Sequence, residues 1–505
     1  MILRILPVFI CLFFAGPAVF GAEPSLDYER LLSEGSSQLQ RRRYQDALAK
    51  FDLALKAKPN SAHAMSLKAR ALQNLKRKQE AQLLLKAAMA ADPKSIQPYL
   101  SLASFSLREK QFEKARQYLA QAERLQPGSY EVAGVTGSLL LSEKKYKEAL
   151  PYFNEAIAKH PDAFRYAQRA VTYRLLKDKK NELKDYERAI ALSPKSAEYA
   201  TERATTLLND GKLQQALTEV NRALSLDDKY ALAYYIRANV ELKLLQRPLA
   251  MADINKAIAL EDAGGFRYFR ALLFEQVRDF DKALKDLQIA DEISPNQAHI
   301  KAELCRVYHR LLDPKAALAV ISEAIKLEPK NSEYYDLRSH VYRTMMEFEL
   351  AAQDDGKSIE YAVKPPVNAL VNRVRYYRLK SKYDLALKDQ NRLVSCFPDR
   401  VGLREQRAQI CEEMGDYRRA KEDIDAVLKE FPTDANYSLR ARVNLKLKKY
   451  AEALSDINKA IVMQPGMSTH YVLRAEIHEA AGNKKEAQKD RASAKAADQA
   501  AMPPH

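Results

Sequence analysis

Glycine is scarce in this chain, with 14 among 505 residues. No stretch rich in glycine, proline or serine divides it, so domains strung on flexible linkers are excluded. Yet 505 residues exceed what a single hydrophobic core supports. A long chain without linkers fits an array in which each unit rests on its neighbour. Cysteine is scarcer still, at four. Cys11 lies in an N-terminal apolar run. Cys305, Cys396 and Cys411 form neither a disulfide framework nor a CxxC or Cys/His metal spacing. Histidine numbers eight, and His299 and His309 are badly spaced for shared metal ligation on one helix face. There is no phosphate loop, nucleophile elbow or HExxH motif. No catalytic residue, metal or cofactor is expected.

Ala, Leu, Lys, Glu and Arg dominate, which favours helix throughout. The formal net charge is +16, but 66 acidic residues are mixed in. That balance is compatible with nucleic acid, an anionic membrane surface or acidic protein partners, and equally with an ordinary soluble surface. Residues 1–22 differ from the rest. Arg4 is their one charge, an apolar run spans Ile5 to Ala15, and small residues surround Gly21 and Ala22. This is the order of a secretory signal, so the protein is expected to be secreted, periplasmic or envelope-associated. An uncleaved N-terminal anchor is the alternative. No later stretch approaches eighteen consecutive apolar residues.

The chain repeats itself. Prolines recur at Pro59, Pro93, Pro127, Pro161, Pro194, Pro295, Pro329, Pro398, Pro432 and Pro465, 33 or 34 residues apart where no member is missing. Twelve residues before most of these sites lies an alanine, from Ala47 and Ala81 to Ala420 and Ala453, with Glu182 as the exception. Twelve residues earlier again lie small residues such as Gly35, Ala69, Gly137, Ala271, Cys305, Ser339 and Ala475. Two antiparallel helices approach closely only where facing side chains are small. Proline stops the second helix and sets the start of the next. These residues resemble the tetratricopeptide-repeat family, whose 34-residue unit carries small residues at positions 8, 20 and 27 and proline at 32. With Pro59 as position 32, the first repeat starts at Tyr28. About thirteen repeats then span 28–467. A degenerate fourteenth or capping unit spans 468–500, and 501–505 form a tail. The resemblance implies an all-α fold, a right-handed superhelical solenoid of helix pairs whose first helices line a concave groove.

Comparison among repeats exposes a pairing rule. Position 7 is Arg and position 23 is acidic in the same nine units: Arg169/Asp185, Arg203/Glu219, Arg237/Asp253, Arg270/Asp286, Arg338/Asp354, Arg373/Asp389, Arg407/Asp423, Arg440/Asp456 and Arg474/Asp490. Where position 7 changes, position 23 changes with it, as in Leu304 with Val320 or Glu34 with Lys50. An ion pair between the two helices of each unit is expected, which removes these arginines from the charge available to a ligand.

The resemblance also implies which side chains face the groove: those near positions 2, 5, 9, 12 and 13. In repeats nine to eleven these include Arg306, His309, Arg310, His340, Arg343, Arg375 and Arg378, and in repeat twelve Glu405, Glu412 and Glu413. Arginine forks suit carboxylates and phosphates, and converging histidines would strengthen anion binding below about pH 6.5. A peptide or protein partner with an acidic segment is therefore the expected ligand of this cluster. The bland reading is a solvated basic face. Some family members clamp C-terminal carboxylates with Lys and Asn at set positions, and here only Asn239 stands in such a place. Nucleic acid is not expected, although Arg375–Tyr376–Tyr377–Arg378 interleaves charge and rings. Arg41–Arg42–Arg43 and Lys144–Lys145 raise membrane contact as a weaker alternative. Finally, Asp354, Asp355, Gly356 and Ser358 break the apolar pattern of one second helix, which predicts a weak point or bend near 354–366.

Overall fold

The structure, a computed structural model, describes residues 27–40 and 43–501. The predicted signal segment and two members of the Arg41–Arg43 run lie outside the described residues. Those described form 28 α-helices and no strand, from α1 (Tyr28–Gln40) to α28 (Lys484–Ala501). Odd-numbered helices are the first and even-numbered helices the second members of successive pairs, fourteen pairs in all. Contacts divide the chain into two units, one ending at Leu260 and the other beginning at Glu261. Each holds seven helix pairs. No helix among the described residues is long and apolar enough to cross a membrane.

Local chemistry sets the boundaries. First helices often start on a capping side chain: Ser61 Oγ accepts from the Ala64 N–H, Asp162 Oδ1 from Arg165 and Thr433 Oγ1 from Asn436. Each bond satisfies a backbone donor that the first helical turn leaves open. The small residues at positions 8 and 20 are then buried between the helices of each pair, many with no exposure, as at Ala69, Ala81, Ala271, Ala283, Ala441 and Ala453. Gly35 and Gly137 show the limit of that approach. A Cβ on either would come within 2.6 to 2.8 Å of the buried ring of Phe51 or Phe153. Glycine and phenylalanine thus share a volume that Ala204 and Val220 fill in another repeat.

Every described turn between paired helices passes through one left-handed residue at position 15. Glycine occupies it at Gly211, Gly415 and Gly482. The other ten are Lys76, Lys110, Lys144, Lys177, Leu245, Arg278, Leu312, Met346, Ser381 and Lys448, with φ between 55° and 64°. A side chain there costs about 1 kcal/mol against glycine. Leu312 and Met346 are nonetheless 86% and 78% exposed.

The second helix of the tenth pair, α20 (Phe348–Tyr361), runs unbroken. Its polar residues are occupied. Asp354 binds Arg338, and Asp355 accepts from Ser339 Oγ at 2.5 Å and from Arg343 at 3.1 Å. Of the stretch 354–366 where a weak point or bend is expected, the part up to Tyr361 is regular helix. The irregular stretch is confined to the connection 362–366, where Val363 is fully exposed.

Candidate functional site

All nine position-7 arginines lie against their position-23 acids. In eight the acid is Asp, and the guanidinium donates from Nε and Nη2 to the two carboxylate oxygens. The bonds measure 2.7 and 2.7 Å for Arg169–Asp185, 2.5 and 2.8 Å for Arg237–Asp253, and 2.6 and 2.7 Å for Arg270–Asp286. Those of Arg407–Asp423 are 2.7 and 2.6 Å, and those of Arg440–Asp456 2.8 and 2.7 Å. The longer Glu219 accepts one bond from Arg203 at 2.5 Å. In the first pair the charges are exchanged, and Lys50 meets Glu34 at 2.7 Å. The aspartates are buried, Asp286 to 2% and Asp185 to 3% exposure, so these are interior ion pairs and not surface ones. Rings flank the guanidinium. Tyr166 and Tyr173 lie within 5.8 Å of Arg169, and Tyr335 and Tyr342 within 5.8 Å of Arg338.

The third nitrogen reaches out of the repeat. Nη1 of Arg169, Arg237, Arg407 and Arg474 donates to Asn154, Asn221, Asn391 and Asn458, that of Arg338 to Ser322, and that of Arg440 to Asp425. All six acceptors stand at position 25 of the preceding repeat. Each arginine therefore ties its own two helices together and latches them to the previous pair. Gly356 holds position 25 ahead of Arg373, and a Cβ built on it would lie 3.2 Å from Arg373 Nη1. Gly356→Asn is expected to supply the missing acceptor and to remove a helix glycine. Stability should rise by about 1 kcal/mol, read as an increased thermal or urea midpoint. Gly356→Ala should gain less, because it adds no acceptor.

The predicted basic cluster lies in the second unit, on the first helices of pairs nine to eleven: α17 (Ala298–Arg310), α19 (Ser332–Thr344) and α21 (Val367–Leu379). Most of its charge is already engaged. Arg306 Nη1 donates to buried Glu303 at 2.6 Å. Arg343 is held by Asp355 and Ser339, the latter at 2.5 Å. Arg378 donates to Glu413 at 2.5 and 3.1 Å. In the next pair Glu412 receives Arg442 at 2.8 and 3.0 Å. The expected change from a basic to an acidic stretch is thus a ladder of pairs between neighbouring repeats. Arg310 and Arg375 remain, both exposed and without an ion pair or hydrogen bond among the described residues.

The histidine reading also changes. His309 and His340 lie with ring centroids 4.6 Å apart. Burial and then Arg310 hold His309 below its ordinary value, and burial, His309 and Arg343 do the same for His340. Any strengthening of anion binding by these imidazoles is thereby moved to lower pH than for free histidine. Near Glu303 and Arg310, Glu275 has a buried oxygen with no donor. Burial and the neighbouring Glu303 push its carboxyl up to about 7. Asp336 likewise keeps one buried oxygen without a partner. Asn239 is spent within its helix, donating to the Tyr235 carbonyl at 2.7 Å. Tyr377 packs against the core and under Arg373, so the Arg–Tyr run does not offer it for base stacking.

Glu182, the break in the alanine series, anchors a polar network in the first unit. It accepts from Arg174 Nε and from Thr206 Oγ1, both at 2.6 Å, while Arg174 Nη2 reaches Glu202 at 2.8 Å. No group of His, Cys, Asp and Glu suited to a metal ion occurs among the described residues.

The tetratricopeptide-repeat models match residues 38–104, 107–164, 165–196, 276–341 and 407–468, together more than half of the chain. The chain belongs to the tetratricopeptide-repeat family. ETO1-like protein 2 of Arabidopsis thaliana is 30% identical over 122 residues, which are 23% of this chain and 12% of that protein. Among solved structures, the chain is similar to the APC/C hetero-tetramer Cut9–Hcn1 at 12% identity, covering 94% of both chains with a TM-score of 0.41. It is also similar to PilF of Pseudomonas aeruginosa, at 17% identity over 42% of this chain and 97% of that one, with a TM-score of 0.38. YrrB, described as a tetratricopeptide-repeat protein with an unusual peptide-binding site, is 20% identical over 36% of this chain and 94% of its own, with a TM-score of 0.29.

Proposed function

We propose that this protein is a non-catalytic interaction scaffold outside the cytoplasm, and that it binds a peptide or protein segment on the first-helix face of repeats nine to eleven. Support for a scaffold comes from a chain whose described residues are helix pairs throughout. The extracytoplasmic assignment rests on the charged, apolar and small-residue order of residues 1–22. The observation that carries the site is the pair Arg310 and Arg375, two exposed guanidinium groups without ion pairs on a face where Arg306, Arg343 and Arg378 are each bonded to an acid. An acidic segment would take both as bidentate partners.

Arg310 and Arg375 are also the residues to reverse, because Arg343 is bonded to the buried Asp355 and its loss would damage the fold. The test uses residues 23–505 as bait against envelope extract, wild type beside the Arg310→Glu/Arg375→Glu variant. A partner retained by wild type and weakened at least tenfold in the variant, with equal thermal midpoints, is the expected result. Equal retention by both proteins would remove the site and leave the scaffold assignment in place.

A further inference from the structure

The turn edge of the first unit presents a row of cations. Position 15 is Lys76, Lys110, Lys144 and Lys177 in four successive repeats, and all four are exposed. By sequence register, Arg42 holds the same position in the first repeat. In the next two repeats the position passes to Gly211 and Leu245. The four lysines adopt φ of 62°, 57°, 64° and 62°, a region where glycine alone is free of steric cost. The left-handed conformation belongs to every turn of this kind, Leu245 and Met346 included, and what sets these four repeats apart is the cation.

Most acids of this edge are held by other cations, while Asp178 and Glu148 have no ion pair among the described residues. Glu109 is held by Lys78 at 2.7 Å, Glu143 by Arg116 and Lys145, and Asp210 by Lys179 at 3.0 Å and Lys212 at 2.9 Å. Asp178 caps its helix, accepting from the Asn181 N–H at 3.2 Å. The four position-15 lysines have no ion pair among the described residues. Because each comes from the same point of the same turn, their charges follow one edge of the unit.

We propose that this edge of the first unit docks on a bilayer surface carrying anionic headgroups. A bilayer carries anionic groups over an area wide enough to engage several members of a row with one cation per repeat. The repeats that carry it are those nearest in sequence to the apolar segment Ile5–Ala15, whose pattern is that of a secretory signal. Attraction of this kind scales with the number of basic residues at the surface and fades as salt shortens the Debye length. The proposal is independent of the peptide-binding face in the second unit.

The experiment is sedimentation of residues 23–505 with vesicles of phosphatidylcholine, with and without phosphatidylglycerol. Wild type is expected to bind the anionic vesicles at low salt and to be released as salt rises. The variant with Lys76, Lys110, Lys144 and Lys177 all changed to Gly should lose at least about a hundredfold in binding. Its thermal midpoint should be equal or higher, since glycine relieves the strained turn. A second variant with Asn at the four positions, which also tolerates this backbone conformation, should behave alike. Failure of wild type to bind anionic vesicles would overturn the proposal. So would equal binding to neutral vesicles, wild-type binding by both variants, or tighter binding of duplex DNA than of the vesicles.

Discussion

Arg440→Ala is expected to destabilise the protein by about 3 to 5 kcal/mol, the largest loss among the nine Arg–acid pairs. The arginine donates two bonds to Asp456 and a third, at 2.7 Å, to Asp425 of the preceding repeat. Asp456 is 4% exposed, so removing the guanidinium strands a charge in the interior. Asn444, at 3.2 Å, is its one other side-chain donor and carries no charge to offset it. Because a repeat array opens locally, the damage should concentrate in helices α25 (Asp434–Lys446) and α26 (Tyr450–Met463) and their neighbours. Hydrogen exchange should show their amides losing protection while those of the first unit keep it. The double variant Arg440→Leu/Asp456→Val copies the solution that the ninth repeat uses at Leu304 and Val320, both in its interior packing. It should recover most of the loss. If the single variant is as protected as wild type, the ion pair is not what holds the two helices.

Glu241→Leu should act in the opposite direction. Glu241 lies at position 11 of the seventh repeat, 6% exposed, with one oxygen that finds no partner. Burial and then the Asp253 carboxylate push it up to about 7. An unfolded glutamate titrates near 4.3. Between these values the folded chain binds more protons than the unfolded one, so this residue's contribution is intact below about pH 4.3 and is lost as pH rises through 7. Leucine occupies the same position, buried, at Leu72, Leu140 and Leu207. The substitution should therefore stabilise the first unit by about 2 to 3 kcal/mol at pH 8 and by little at pH 4. Urea midpoints of wild type and variant measured at both pH values decide it. A gain that does not vary with pH would mean that packing alone, and not ionisation, is relieved.

The nine Arg–acid pairs were legible because repeats of one chain can be compared with each other, and Leu304 changes together with Val320. Their third bond was not legible. Its acceptor varies among Asn154, Ser322 and Asp425, and it sits one repeat upstream, outside any single unit. Gly356 therefore read as a defect when it is a missing latch partner. The basic cluster was overestimated for a related reason. Its neutralising acids lie in adjoining repeats, 35 residues away for Arg378 and Glu413, or on the second helix for Arg343 and Asp355. A search confined to matching positions of consecutive repeats would also have missed them, because Arg378 at position 12 meets Glu413 at position 13, and Glu412 at position 12 meets Arg442 at position 9. The surroundings of the histidines were not legible because composition carries no information on burial, and burial lowers both His309 and His340.

The latch also bears on how such a chain can change length. Its acceptor is defined by register and not by one residue type, since Asn, Ser and Asp all serve. If the segment 401–433 were excised, Arg440 would follow Asn391 at position 25 in place of Asp425, and the same nitrogen would meet a suitable oxygen. Duplication of that segment would place Arg407 after Asp425, again a matched joint. Gain or loss of whole units is thus silent for the latch, although loss of 401–433 would also take Glu412 and Glu413 from Arg442 and Arg378. A unit one residue longer or shorter keeps the latch too, since the bond spans 15 residues in Arg440–Asp425 and 16 in Arg407–Asn391, the difference being absorbed in the connection.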